Sequence, residues 1–237
     1  MVFCSGKDEF SGGYVHTSFK LTQTKPEHIV FSDASLSLIE DVVLNPAQKG
    51  HSRGRTTDGA ATWSLFTTPT AGFANANAKQ EYASKPVFNM AAGFYPASIT
   101  LSITSPDAGI TIYYTTNGNE PNSSSLVYLA PITISNTQVV RAKAYSSNPL
   151  IPPSFTESNT YFINESHTVA VLSVFGDDFD YLLNGGYIDA DATLEYFDKT
   201  NQLKAEAVGT TNKHGNDSWA YNQRGFDFVT KDQYGYN

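Results

Sequence analysis

Near the end of the chain, His214, Asp217 and Ser218 combine the residue types that carry out acyl transfer in hydrolases. A catalytic triad needs three side chains that converge on one point beside an oxyanion hole. Neighbours on one extended or turning segment rarely converge in this way, so we interpret the group as structural or partner-binding. The sequence therefore predicts no catalytic residue.

Two acidic clusters supply the carboxylate oxygens that a hard cation such as Ca²⁺ prefers. They are Asp177, Asp178 and Asp180, and Asp189 with Asp191. Ca²⁺ takes about six to eight oxygen ligands, and neither cluster has the glycine and the distant glutamate of an EF-hand loop. We interpret both clusters as solvated acidic turns and predict no metal site.

Aromatic residues offer a third kind of chemistry, because aromatic rings stack on the apolar faces of sugars. The candidates are Trp63, Tyr95, Tyr113, Tyr114, Tyr128 and Tyr145. Side chains alternate between the two faces of a strand, so one of the adjacent Tyr113 and Tyr114 faces a core and the other faces outward. We favour core and cross-strand packing for most of these rings, with carbohydrate binding as the alternative.

Composition narrows the class of partner. The 237 residues carry 15 Lys and Arg against 23 Asp and Glu, a formal net charge of −8, so a basic surface for nucleic acid is not expected.

No run approaches the ~18 apolar residues of a membrane helix, and the first residues lack the basic and apolar regions of a signal peptide. The one cysteine, Cys4, has no second cysteine for an internal disulfide.

Short runs of Val, Ile, Thr, Tyr and Phe, separated by Gly, Asn, Asp, Ser and Pro, predict a mostly β protein. We divide the chain into segments at 1–77, 87–163 and 167–237. Residues 78–86 are small and polar and are predicted to be a linker. In the first segment, residues 28–31 and 41–44 predict paired strands with Ile29, Phe31 and Val43 on one face.

The first segment resembles the C-terminal part of a lamin-tail domain, which is an immunoglobulin-like sandwich. The resemblance rests on residues 4–8, 16–21, 29–44, 52–55, Trp63 and 68–75. The opening strands of that family have no counterpart before residue 4, so we expect an N-terminally truncated domain.

The middle segment contains the clearest local pattern, since residues 99–103 and 110–116 alternate and Asn117-Gly118 predicts a tight hairpin turn. Residues 131–134 and 139–145 add two strands. Residues 113–121, Tyr128, 131–132 and 140–145 resemble the immunoglobulin-like module at the C-terminus of chitobiase and β-hexosaminidase. In that family the module is an accessory sandwich without catalytic residues.

The last segment resembles the start of a CotH-type domain, a kinase-like α+β family, over residues 192–237. The resemblance rests on residues 214–228 and 232–237. It implies a C-terminally truncated domain, and it places Arg224 where relatives often carry a cation that approaches nucleotide phosphates. The alternative for Arg224 is a surface residue paired with Asp227 or Asp217.

Together these resemblances imply tandem immunoglobulin-like sandwiches ahead of a partial CotH-like segment, in a secreted or surface-displayed bacterial protein that continues at both ends. We expect non-catalytic spacer and interaction modules, without a cofactor, that bind a surface protein or a glycan. The alternatives are the nucleotide-binding part of an atypical kinase whose complete form uses ATP and Mg²⁺, and a carbohydrate-binding adhesion module. Fold alone does not decide among these functions.

Overall fold

The structure is a computed structural model that describes residues 2–3, 7–22, 25–215 and 224–230. These residues form 20 strands and one short helix. The mostly β fold class predicted from the sequence is therefore confirmed. The kinase-like α+β character of the last segment stays a prediction.

The first segment forms three small sheets. Its strands are β1 (Val2–Phe3), β2 (Glu9–Ser11), β3 (Tyr14–His16), β4 (Glu27–Ser32), β5 (Leu38–Leu44), β6 (Ser52–Arg55) and β7 (Trp63–Phe66). They pair in the orders β1-β3-β2, β4-β5 and β6-β7. Ile29 lies opposite Val42, which is buried, whereas Val43 lies opposite His28 and is half exposed. The prediction that Val43 shares a face with Ile29 was therefore wrong, because the register places Val42 on that face and Val43 on the opposite one.

The middle segment contains nine strands. They are β8 (Val87–Phe88), β9 (Gly93–Tyr95), β10 (Ile99–Leu101), β11 (Ile103–Thr104), β12 (Ile110–Thr115), β13 (Leu126–Val127), β14 (Ile132–Ile134), β15 (Gln138–Ser146) and β16 (Glu157–Ile163). Five of them form one sheet in the order β13-β12-β15-β16-β9, and two-stranded sheets join β10 to β14 and β11 to β8.

One core lies between the five-stranded sheet and these smaller sheets. Its fully buried members include Leu101, Ile134, Val140 and Tyr161. The alternating pattern of residues 99–103, 110–116 and 139–145 is what places one set of apolar side chains on this inner face.

Asn117 and Gly118 form a turn, as predicted, but not a tight two-residue hairpin. Gly118 has a φ of +82°, and the Asn117 side chain accepts a hydrogen bond from the Asn119 backbone. The chain then makes a longer excursion before β13 pairs with β12, with Tyr114 opposite Leu126.

The last segment forms one antiparallel sheet. Its elements are β17 (Val171–Phe175), α1 (Phe179–Leu183), β18 (Ala190–Phe197), β19 (Leu203–Lys213) and β20 (Phe226–Thr230). The strands pair in the order β17-β18-β19-β20. One face packs on α1, with Phe179, Leu182 and Ala190 forming a small buried cluster. The opposite face carries the other alternating residues of β18, which include Glu195 and Phe197.

That opposite face packs against the five-stranded sheet. The Phe197 ring contacts Phe94 and Phe162 edge to face, at centroid distances of 5.7 and 5.3 Å. Farther along the interface, the Thr160 and Ser173 hydroxyls lie 2.7 Å apart. Both faces of the five-stranded sheet are therefore covered, which explains why residues 159–163 of β16 are all buried.

Residues 78–86 connect the first two segments, but they are packed rather than solvated. Ala83 and Pro86 are buried, and Arg53 forms a bidentate ion pair with Glu81. The Tyr82 ring lies edge to face on Phe155. The polar composition predicted a linker with little to bury, and these contacts correct that expectation; the division of the chain into domains stays a prediction.

The inner core gives a direct test of this packing. Leu101→Ala removes a fully buried side chain, and we expect it to lower the free energy of unfolding by about 2–5 kcal/mol. Urea denaturation followed by circular dichroism would measure this change. As a control, Leu129→Ala removes a side chain that is 88% exposed and should change the free energy by less than about 0.5 kcal/mol. Equal effects of the two substitutions would contradict the core.

Candidate functional site: a charged cleft between two sheets

A cleft of about 530 Å³ opens where the five-stranded sheet and the last sheet diverge. Its walls come from the start of β16 and the middle of β15 on one side, and from β18 and β19 on the other. The first segment contributes Gln48 and Lys49 at the rim. All three parts of the chain therefore meet at this cleft, which makes it the best candidate for a functional site.

Beside the cleft, the turn at Gly118 packs closely against Phe175 at the end of β17. A Cβ atom on Gly118 would lie 2.8 Å from Cβ of Phe175, so a larger residue would push the two sheets apart. Next to this contact, the backbone N–H of Glu120 donates a hydrogen bond to Asp177 Oδ1 at 2.6 Å. The turn after β12 is therefore held directly against the end of β17.

An ion cluster forms the floor of the cleft. The Glu120 carboxylate pairs with Arg141 at 2.5 Å and Lys143 at 2.9 Å, and it accepts a hydrogen bond from Thr156. Burial by itself would raise the pKa of Glu120, but the two cations and the hydrogen bonds outweigh it, so the pKa lies below its usual value. Glu120 is therefore ionised at neutral pH.

Arg141 is the centre of this cluster. It is 9% exposed, and its guanidinium also donates to the Gly118 carbonyl and the Ser158 hydroxyl. Its Cζ lies 5.6 Å from the centroid of the Phe175 ring, within cation–π range. One side chain thus ties β15, β16, the Gly118 turn and β17 together.

The remaining charges leave the cleft acidic. Lys85 pairs with Glu157 at 2.6 Å, and Lys49 pairs with Asp191 at 2.8 Å. Four of the described lining residues are Lys or Arg: Lys49, Lys85, Arg141 and Lys143. Each of the four forms an ion pair with a carboxylate. Four further carboxylates line the same cleft: Asp177, Asp178, Asp189 and Glu206. The cleft therefore favours a cationic or neutral guest over a phosphate.

The cleft brings together the two acidic clusters noted in the sequence. Asp177 and Asp178 line it from the β17–α1 turn, and Asp189 and Asp191 line it from the start of β18. Asp180 lies in the first turn of α1 instead. Across the described ranges, no group of three or more His, Cys, Asp or Glu side chains is arranged to hold a metal ion.

Sequence reasoning missed the ion cluster on the floor. Arg141 and Lys143 alternate with the buried Val140, Ala142 and Ala144 on one strand. A strand with apolar residues on one face and two cations on the other is also typical of a sheet with one solvated face, so the pattern did not indicate that the second face is covered. The acidic partner of Arg141 and Lys143 is Glu120, which lies in the turn after β12. No pattern in the sequence around Glu120 indicates that it pairs with them.

The other predicted site residues lie outside the cleft. Arg224 is exposed and stands just before β20, and it is not among the residues that line the cleft. His214 contacts Asp227 through Nδ1 at 2.7 Å, so Asp227 has His214 as a partner. Asp217 and Ser218 lie outside the described residues, and the nucleotide role of Arg224 stays a prediction.

The tyrosines pack as the alternation predicts. Tyr114 packs against the inner core and meets Tyr128 nearly perpendicularly, whereas Tyr113 lies on the other face against Tyr145 at an interplanar angle of 82°. The Trp63 indole N–H donates to Glu40, and Arg55 lies over the ring. Edge-to-face pairs of this kind favour packing over a flat platform for sugar stacking.

Comparison with known proteins supports one of the three resemblances. Residues 90–150 match the model of the chitobiase/beta-hexosaminidase C-terminal domain family. This range runs from just before β9 to just after β15, and it includes both cations on the cleft floor and most strands of the inner core, but not β8 or β16. No curated protein and no solved structure matches the chain. The lamin-tail and CotH resemblances stay predictions.

The sequence predicts no membrane-spanning helix, and the helix content of the structure bears on this prediction. Within the described part of the chain, none is long and apolar enough to cross a membrane.

The ion cluster predicts unequal costs for two ion pairs of the cleft. Arg141→Met removes a buried guanidinium and leaves Glu120 with Lys143 alone, so we expect it to lower the free energy of unfolding by about 1–3 kcal/mol. Lys49→Met breaks a pair whose side chains are about half exposed, and it should cost less than about 1 kcal/mol. Urea titrations at neutral pH would compare the two. A smaller loss for Arg141→Met would contradict the central role of Arg141.

Proposed function

We propose that this chain serves as non-catalytic accessory modules, acting as a spacer and an interaction platform within a secreted or cell-surface bacterial protein. The observation that carries this proposal is the family match of residues 90–150, because that family is an accessory immunoglobulin-like module. The lamin-tail and CotH resemblances extend the proposal to a module array that precedes a CotH-like domain.

The packing of the described residues supports a spacer role. A flexible array would join its modules through solvated linkers, whereas here residues 78–86 are packed and the last sheet covers the middle sheet. We expect these contacts to hold the middle and last segments as one unit. Such a unit would hold whatever follows it at a defined distance and orientation.

The acidic cleft supports the interaction role. Its cations are paired within the protein, so its surplus carboxylates remain to attract a basic side chain or an amine on a partner. A surface protein with a basic loop would fit this charge. A glycan is the second kind of ligand that we propose for this interaction role.

The nucleotide-binding alternative rests on the CotH resemblance and places Arg224 beside the phosphates of ATP. Isothermal calorimetry with Mg²⁺-ATP distinguishes it from the accessory role. We expect no saturable heat from the 237-residue protein or from Arg224→Ala. Saturable binding by the parent protein that is lost in Arg224→Ala would overturn the accessory proposal in favour of the kinase alternative.

A further inference from the structure

A buried carboxylate, Glu195, lies in the interface between the five-stranded sheet and the last sheet. Its side chain is fully buried, and it belongs to the face of β18 that also carries Phe197. Both of its carboxylate oxygens lie within 3.3 Å of the backbone N–H of Thr160 on β16. β9 pairs only with residues 161–163 of β16, so the Thr160 N–H has no backbone acceptor on β9. The Glu195 side chain, from the other sheet, accepts its hydrogen bond instead.

The surroundings of Glu195 are poor in positive charge. Glu206 lies directly opposite it on β19, and Glu157 approaches from β16. Lys85, from the segment before β8, is paired with Glu157. From β17 the nearest polar group is the neutral Ser173 hydroxyl, which contacts Thr160. An ionised Glu195 would therefore be buried near two other carboxylates, with the Thr160 amide and hydroxyl as its hydrogen-bond donors.

We propose that Glu195 makes the docking of the last sheet onto the middle sheet sensitive to pH, so that docking is strong when Glu195 is protonated and weaker when it is ionised. The pH dependence arises from desolvation. An ionised Glu195 is costly to bury, and opening the interface returns its carboxylate to water. The cleft beside the interface would widen or close with the same equilibrium, because Thr193 and Asp191 of β18 line it. This inference does not depend on which partner the cleft holds.

The direction of the effect follows from the pKa. Burial raises the pKa of Glu195 to about 7, and the nearby Glu206 and Glu157 add to the rise. In the opened state the carboxyl is exposed and its pKa returns toward the ordinary value near 4.5. The docked state therefore holds more protons between these two values, and docking weakens as the pH rises through that range and levels off above it.

Hydrogen exchange of the Thr160 amide, whose acceptor Glu195 lies across the interface, measures the opening equilibrium once it is corrected for the intrinsic pH dependence. Between about pH 5 and about pH 8 we expect the opening constant of the 237-residue protein to rise roughly 50- to 100-fold. Glu195→Gln keeps the shape and an acceptor for the Thr160 amide, and it should abolish this rise. As a matched control, Glu165→Gln removes a partly exposed acid whose partner His167 lies beside Phe162, and whose pKa lies below its usual value because Thr137 donates a hydrogen bond to it, so the rise should persist.

Equal pH dependence in the parent protein and Glu195→Gln would overturn the proposal. If Glu195→Gln fails to fold, the Thr160 amide resonance of the parent protein decides the question. A chemical shift that titrates with a midpoint near 7 supports the proposal, because this amide donates directly to the carboxylate. A shift that is constant from about pH 5 to about pH 8 contradicts it.

Discussion

Contact between the outer face of the five-stranded sheet and the last sheet is the interaction on which the rest of this structure depends. A sheet with one core needs only one apolar face, yet here Thr160, Phe162 and Arg141 on the second face are also buried. Phe197 covers the aromatic end of that face, and Phe175 covers the Arg141 end. The cleft exists because the two sheets diverge beyond these contacts. A change that separates the sheets would therefore remove the candidate site as well.

The polar content of the interface explains its specificity. Hydrophobic burial by Phe162, Phe175 and Phe197 is non-directional, whereas the hydrogen bonds that Asp177 and Glu195 accept from backbone amides of the middle segment each require one relative position of the two sheets. Arg141 and Glu120 supply an ion pair that remains charged, while Glu195 supplies a carboxylate that burial drives toward its neutral form. The ion pair lies within the middle segment and reaches the last sheet through the contact of Arg141 with the Phe175 ring, whereas Glu195 makes a direct contact across the interface whose strength depends on pH.

Local patterns predicted much of the secondary structure but little of the interface. Alternation in residues 110–116 and 139–145 predicted their strands, and it predicted opposite faces for Tyr113 and Tyr114. It could not choose between Val42 and Val43, because a one-residue shift in register reverses every side chain. The partners of Arg141 and Glu195 lie on other elements, so their contacts depend on how the sheets pack, which no local pattern contains. The polar composition of 78–86 was misleading for the same reason, since its burial comes from distant residues.

Disulfide trapping across the interface tests the docked arrangement most directly. The Thr160 and Ser173 hydroxyls lie 2.7 Å apart, so a Thr160→Cys and Ser173→Cys pair in a Cys4→Ser background would place two thiols next to each other across the interface. We expect this pair to form a disulfide under mild oxidation. Thr160→Cys with Leu172→Cys is the control, because Leu172 is exposed and its side chain points to the other face of β17. A disulfide in the first pair and not in the second supports the docked sheets, and equal trapping of both pairs or of neither contradicts them.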